Sequence, residues 1–317
     1  MRVVFVGGCP RSGTTLLGTM LGTHPDCLAV PESHFKVDAL RFDDVRREPI
    51  DVARAMAQLR RYRDFLGWEQ PPAAPAAAEA IAAYPDLLEW LVRRYGASVG
   101  KPAPRLWVDH TPENVRFAST LFELFKDAKL IHIVRDGRAV AASIMPLPWG
   151  PNRIEPAALF WIQHVGQGLA AEACWGAGRV IRVRYEDLVL RPEATLQRLC
   201  AFLELDYQPA MLKADGFAVP RHMRTPFPLI GKPADPKRID AWRTALTPRQ
   251  IERFERRVDE FLRYFGYPLL YGIKARPPNR RERVGAVLEE VRRQAPRTLT
   301  HYWQRLLGRA DRRFVSP

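Results

Sequence analysis

Apolar residues along this chain follow two alternating rhythms. Short β-branched or aromatic runs at 3–6, 27–30, 106–108, 129–134 and 180–185 read as buried strands, continuous in hydrophobicity as parallel strands are. Between them apolar positions recur at helical spacing: 16, 17, 20 and 21, then helices from Glu113 to about Phe125, Ala139 to Met145, Glu155 to Trp175, and Pro192 to Leu203. Strand and helix in alternation predict βαβ units joined by right-handed crossovers. The expected fold is therefore α/β, a P-loop-type parallel sheet flanked by helices. In such sheets ligands lie beyond the carboxyl ends of the strands.

Two stretches depart from this rhythm. Positions 36–100 are helical but irregular and read as a helical insert, with an Ala/Pro-rich stretch from Gln70 to Ala80 that reads as a surface linker. Inserts of this kind often form an acceptor-binding wall. Residues 217–240 are loop-like and basic; a helix from Pro248 to about Phe265 follows, with a buried stripe at 251, 254, 258, 261, 262 and 265. The expected division is a domain over 1–272 and a basic helical extension over 273–317. That extension reads as two helices split by Pro296.

The turn after the first strand carries the chemistry. Gly7-Gly8-Cys9-Pro10-Arg11-Ser12-Gly13-Thr14-Thr15 runs from a strand into a helix start. That geometry aims backbone N–H groups and the positive helix end at an anion. Gly8 to Thr15 keep the spacing of a P-loop, but Thr14 stands where the nucleotide triphosphatase lysine belongs, and Arg11 sits inside the loop. The change argues against ATP or GTP chemistry at the β/γ-phosphates while retaining an anion site. A planar guanidinium at Arg11 suits charge spread over transferring oxygens.

Other strand ends supply further candidates. Arg135 closes the strand at 129–134, and Ser143 lies eight residues on, about two helical turns away. An arginine fork plus a hydroxyl can chelate a phosphate. Tyr185, at the end of the last strand, is placed to bond or stack on a nucleotide, or to pack in the core. Trp161, Trp242 and His164 read as packing residues.

Composition narrows the partners. The chain has 317 residues, 47% hydrophobic and 26% charged, as globular proteins do, but its net charge is +14 and arginine supplies most of the positive side. Such charge fits an anionic partner or a solvated arginine-rich surface. Four cysteines without a C-x-x-C pair suggest neither a zinc site nor a disulfide framework, and they fit a reducing compartment. Cys9, inside the loop, reads as a small packed residue. No apolar run reaches spanning length, and the first residues enter a strand directly, so the expected location is cytoplasmic. The basic extension leaves a weak case for peripheral membrane contact, and no nucleic acid is expected.

These motifs together resemble the sulfotransferases that use 3′-phosphoadenosine 5′-phosphosulfate (PAPS), most closely the tyrosylprotein-type branch. "PRSGTTLL" is similar to the family's 5′-phosphosulfate loop, and "IVRDGRAVAAS" at 133–143 to its 3′-phosphate motif. "VRYEDLVLRP" at 183–192 and "IGKPADPKRIDAWR" at 230–243 resemble the following turn and the closing loop. The resemblance spans about 1–270. It implies transfer of a sulfuryl group from PAPS to a hydroxyl of a peptide, glycan or small molecule, with adenosine 3′,5′-bisphosphate as product and no metal. It implies that Arg11, Ser12, Gly13, Thr14 and Thr15 hold the phosphosulfate, that Arg135 and Ser143 hold the 3′-phosphate, and that Lys232 reaches the donor from the closing loop.

Glu32, 21 residues after Arg11, matches the family's general base. His110 stands where the family commonly has a lysine, so it implies either a histidinium in the lysine's electrostatic role or a base in its own right. Two readings compete with this one. A P-loop kinase or hydrolase requires the missing lysine. A non-catalytic nucleotide- or nucleic-acid-binding protein needs neither Glu32 nor His110.

Overall fold

The structure, a computed structural model, describes residues 1–66, 81–217, 235–282 and 284–285. It forms two compact units, Met1–Ala245 and the chain from Leu246 onward. In the first, five strands make one parallel sheet: β1 (Arg2–Gly8), β2 (Cys27–Val30), β3 (Leu106–Asp109), β4 (Lys129–Val134) and β5 (Val180–Arg184). Their order is β2-β3-β1-β4-β5. All five coincide with the apolar runs.

Both faces of the sheet are covered, as parallel strands require. Along β1 the side chains alternate, Val4 and Val6 packing with Leu17, Ile131, Ile133 and Leu196 on one side. Val3 and Phe5 join Trp107 and Leu130 on the other. The chain between β2 and β3 supplies much of that second core: Phe35, Met56, Leu59, Leu87 and Leu91 are buried in the same cluster as Phe5 and Trp107. Its helices, Val52–Leu59 and Tyr84–Ser98 the longest of them, therefore belong to the fold and are more than an appended wall. The Ala/Pro-rich linker, Gln70 to Ala80, lies outside the described residues.

Register aligns the carboxyl ends. Gly8 pairs with Ile133, Val30 with Asp109, and Val134 with Arg184, so the turns after β1, β2, β3, β4 and β5 leave the same edge. Helix α1 (Thr14–Thr23) starts directly after the loop. Lys101 closes its far end by donating to the carbonyls of Gly22, His24 and Cys27 at 2.5, 3.2 and 2.8 Å.

Two boundaries differ from the periodicity. The helix expected from Glu113 breaks into a 3-10 turn, Pro112–Val115, and a separate helix, Ala118–Leu124. Asn114 causes this: its side-chain amide donates to Val6 O at 3.1 Å and to Asp109 O at 3.2 Å, pinning the turn onto β1 and β3. That turn lies so close to Gly7 that a Cβ there would sit 2.7 Å from Val115 N. Tyr185 opens the helix Tyr185–Leu190 and is not part of β5.

The second unit is built on the helix Pro248–Tyr264, capped by reciprocal bonds between Thr247 and Gln250 at 3.2 and 2.8 Å. Ile251, Phe254, Val258, Leu262 and Phe265 are buried as expected, whereas Phe261 is only half-buried. Two carboxylates join the buried stripe. Glu252 accepts from Arg276 N at 2.7 Å, and Glu255 accepts from Leu270 N and Tyr271 N at 3.0 and 2.8 Å, so each is satisfied. The extension beyond residue 285 lies outside the described residues.

Candidate active site

The loop after β1 is wound to face an anion. Arg11 has φ 72° and Gly13 φ 98°, two left-handed residues in one turn, and Ser12 N donates to Cys9 O at 3.0 Å. A left-handed arginine is uncommon and marks a position held by its surroundings. The opening N–H groups of α1 have no acceptor within the helix. The Ser12 side chain is fully buried, and its Oγ has no hydrogen-bond partner among the described residues. A hydroxyl left so is a place for a ligand oxygen. Cys9 is buried, and burial pushes its thiol well above the ordinary value, so it is a packing residue and no thiolate.

The second phosphate motif meets this loop. Arg11 Nε donates to Ser143 Oγ at 3.1 Å. Arg135 Nη1 donates to the carbonyl of Arg11 at 2.9 Å, and Nη2 to that of Arg238 at 3.0 Å, while its buried Nε has no partner among the described residues. The Arg135 guanidinium lies 4.3 Å from the Tyr185 ring centroid. Tyr185 also packs on the loop, since a Cβ on Gly13 would come within 2.6 Å of its Cδ2. Burial, then the charge of Arg135, lowers the pKa of Arg11, with Arg238 adding to the effect and Glu32 opposing it. Burial likewise lowers that of Arg135, against the opposing Tyr185, Glu186 and Asp136, with Arg238 adding a little. A bound polyanion relieves this repulsion.

The backbone around Arg135 is held by residues read from sequence as mere packing. Trp161 Nε1 donates to Arg135 O at 3.0 Å. Asp136 caps the helix Gly137–Ile144 through Arg138 N at 2.9 Å, and its carboxylate also accepts from the buried Arg138 guanidinium at 3.0 and 2.7 Å. Trp242 stacks on Arg138 at 4.1 Å. A tryptophan's apolar body conceals its one donor in a periodicity reading.

Glu32 lies in the loop after β2, half-buried, and its charge acts on both Arg11 and His110. Its neighbour in space is His34, which no sequence signal singled out. Glu32 Oε2 lies 3.7 Å from His34 Nε2, and Glu113 Oε2 lies 3.5 Å from His34 Nδ1.

His110 is fully buried, packed edge-on to Phe217 at 5.0 Å and against Gly18, where a Cβ would come 2.6 Å from its ring. Burial lowers its pKa, and the charges of Glu32 and Asp109 offset this only in part. Neither ring nitrogen has a hydrogen-bond partner among the described residues. Burial of this kind favours the neutral form of the ring. Beside it, Asp109 is buried and accepts from Ser33 Oγ, Lys36 Nζ at 3.2 Å, Thr111 N at 3.0 Å and Asn114 Nδ2 at 2.9 Å. Burial works against this carboxylate, but Lys36 and the hydrogen bonds prevail and hold its pKa at about 2. Lys232 lies outside the described residues.

The chain matches the sulfotransferase family model over residues 3–209. It belongs to the sulfotransferase family. Among similar proteins, protein-tyrosine sulfotransferase 1 of Danio rerio is 26% identical over 306 residues, 92% of this chain and 79% of the relative. A protein-tyrosine sulfotransferase of Drosophila melanogaster is 27% identical over 228 residues, 68% of this chain, but the match spans only 41% of that longer protein. The sulfotransferase domain of the Synechococcus PCC 7002 olefin synthase superposes with a TM-score of 0.60 at 26% identity, covering 85% of this chain and 96% of that domain. The family assignment favours sulfuryl transfer over the kinase and binding-protein readings. Among the described residues there is no cluster of three or more metal-ligating side chains, and no helix is long and apolar enough to cross a membrane.

Proposed function

We propose that this protein transfers a sulfuryl group from PAPS to a hydroxyl by direct in-line displacement. The observation that carries the donor is the junction of its two anion motifs. Arg11 bonds Ser143, Arg135 bonds the Arg11 carbonyl, and the buried Ser12 hydroxyl beside them is unsatisfied. Their chemistry fits a ligand with phosphates at two positions. When bound, PAPS supplies the sulfuryl group and leaves as adenosine 3′,5′-bisphosphate.

In this reading Arg11, Ser12 and the N–H groups of Gly13, Thr14 and Thr15 hold the 5′ end. Arg135 and Ser143 hold the 3′-phosphate, and Tyr185 fixes the Arg135 guanidinium; Lys232 joins them from its loop by family resemblance. Arg11 stabilises the charge that grows on the departing phosphate, so the arginines cover the role a metal takes in triphosphate enzymes. Glu32, half-buried and acting on Arg11, takes the acceptor's proton. The relatives named protein-tyrosine sulfotransferases make a tyrosyl peptide the first acceptor to try.

Thermal shift with adenosine 3′,5′-bisphosphate, AMP, and ATP with Mg²⁺ tests the donor. A ligand at ~100 times its Kd adds about 2.7 kcal/mol to the native state. Selective stabilisation by the bisphosphate is the expected result; preference for ATP with Mg²⁺ refutes the reading. Labelled PAPS offered with tyrosyl peptides, glycans, lipids and phenols then identifies the acceptor.

A further inference from the structure

Both nitrogens of His34 face a carboxylate, Nε2 toward Glu32 at 3.7 Å and Nδ1 toward Glu113 at 3.5 Å. Only an imidazole protonated on both nitrogens serves both partners. The three side chains are 26 to 28% exposed, so the pairs are shielded from solvent without being sealed. They come from different elements. Glu32 and His34 sit in the loop after β2, whereas Glu113 belongs to the 3-10 turn after β3 that Asn114 pins to the sheet. The loop carrying the base is thereby tied to the turn after β3.

We propose that His34 is a positioning residue that clamps the Glu32 carboxylate, with Glu113 as its anchor. The proposal rests on Glu32 acting as the base. Doubly protonated, His34 has no lone pair for the proton that Glu32 takes up. It is therefore a clamp, not a relay: it orients the carboxylate toward the acceptor.

The surroundings agree. Burial by itself lowers the imidazole pKa, but the Glu32 contact and the charges of Glu113, Glu32 and Asp64 outweigh it and raise it to about 9. Asp38, one helical turn on, also interacts with His34. Lys36, the nearest cation in sequence, is committed to Asp109. A histidine raised in this way keeps its contacts below its ordinary pKa and loses them as pH rises through the folded value. The clamp is thus intact at neutral pH and opens on the alkaline side.

Two measurements test it. In ¹³C-labelled protein, the His34 ring is expected to titrate well above the ordinary ~6.5, and to fall toward it in Glu113→Gln and in Glu32→Gln. A wild-type titration at or below the ordinary value, or none of this movement in Glu113→Gln, overturns the clamp whatever the activity. The second measurement is kcat against pH, with PAPS and the acceptor found by the screen above. His34→Gln is expected to lower kcat about 10- to 100-fold through misplacement of the base, leaving KM for PAPS unchanged. His34→Arg, which keeps the cation, is expected to recover most of the rate and to move the alkaline limb upward. Equal losses in the two variants also overturn it. If wild-type protein turns over no acceptor, the sulfuryl-transfer reading fails while the titration still decides the ion pairs.

Discussion

Arg11 Nε and Ser143 Oγ meet at 3.1 Å although 132 residues separate them. The bond joins the turn after β1 to the helix after β4, and adjacency of those two strands in the sheet makes it possible. Two anion motifs, each modest alone, become one site.

Arg135→Ala removes the guanidinium that reaches both the Arg11 and Arg238 carbonyls and covers Tyr185. A charge-assisted hydrogen bond contributes about 1.5–3 kcal/mol. Affinity for adenosine 3′,5′-bisphosphate is therefore expected to fall roughly 10- to 100-fold by calorimetry, with AMP binding less affected. Equal losses for both nucleotides would place Arg135 away from the 3′-phosphate.

Glu32→Gln keeps the shape of the base and removes its charge. Turnover is expected to drop roughly 10²- to 10⁴-fold, while the thermal shift with the bisphosphate persists. A variant that retains wild-type turnover would assign the proton to another group.

Gly13→Ala tests the loop. Its φ of 98° is costly for any residue with a Cβ, and that atom would lie 2.6 Å from Tyr185 Cδ2. The backbone alone costs about 1–2 kcal/mol, so Tm should drop by several degrees and bisphosphate binding should weaken with it. Unchanged melting and binding would mean that the turn has room to relax.

Asp109→Asn breaks the buried pair with Lys36, expected to cost about 3–5 kcal/mol. The pH dependence has a definite sign. Asp109 has its folded pKa lowered to about 2, so its contribution is complete above the unfolded value of ~3.9 and disappears as pH falls toward 2. Acid denaturation of the variant should therefore be shallower over that window than that of the wild type. Parallel acid curves would remove Asp109 from the account of acid stability.

Lys101→Met leaves three carbonyls between the end of α1 and the start of β2 without this donor. Leaving buried acceptors unsatisfied costs about 1–3 kcal/mol, read as a lower urea midpoint with an unchanged m-value. A change in m would instead report an altered denatured state.

Local sequence determined the elements and the chemical character of their ends. Apolar runs three to six residues long need both faces buried, so all five strands and the parallel sheet were legible in the sequence. Gly13 and Arg11 in a strand–turn–helix context already called for an anion, because that geometry follows from residues next to one another in the chain. Tertiary structure alone decided what lies across the sheet. Strand order set Arg11 beside Ser143, the Asn114 side chain split a periodic helix by reaching Val6, and burial lowered the pKa of His110. The pairing of His34 with Glu113 was likewise hidden, because 79 residues separate them and neither stands in a spacing that announces a contact. Ionisation and ion pairing depend on distance and burial, and a sequence carries neither until the sheet has closed.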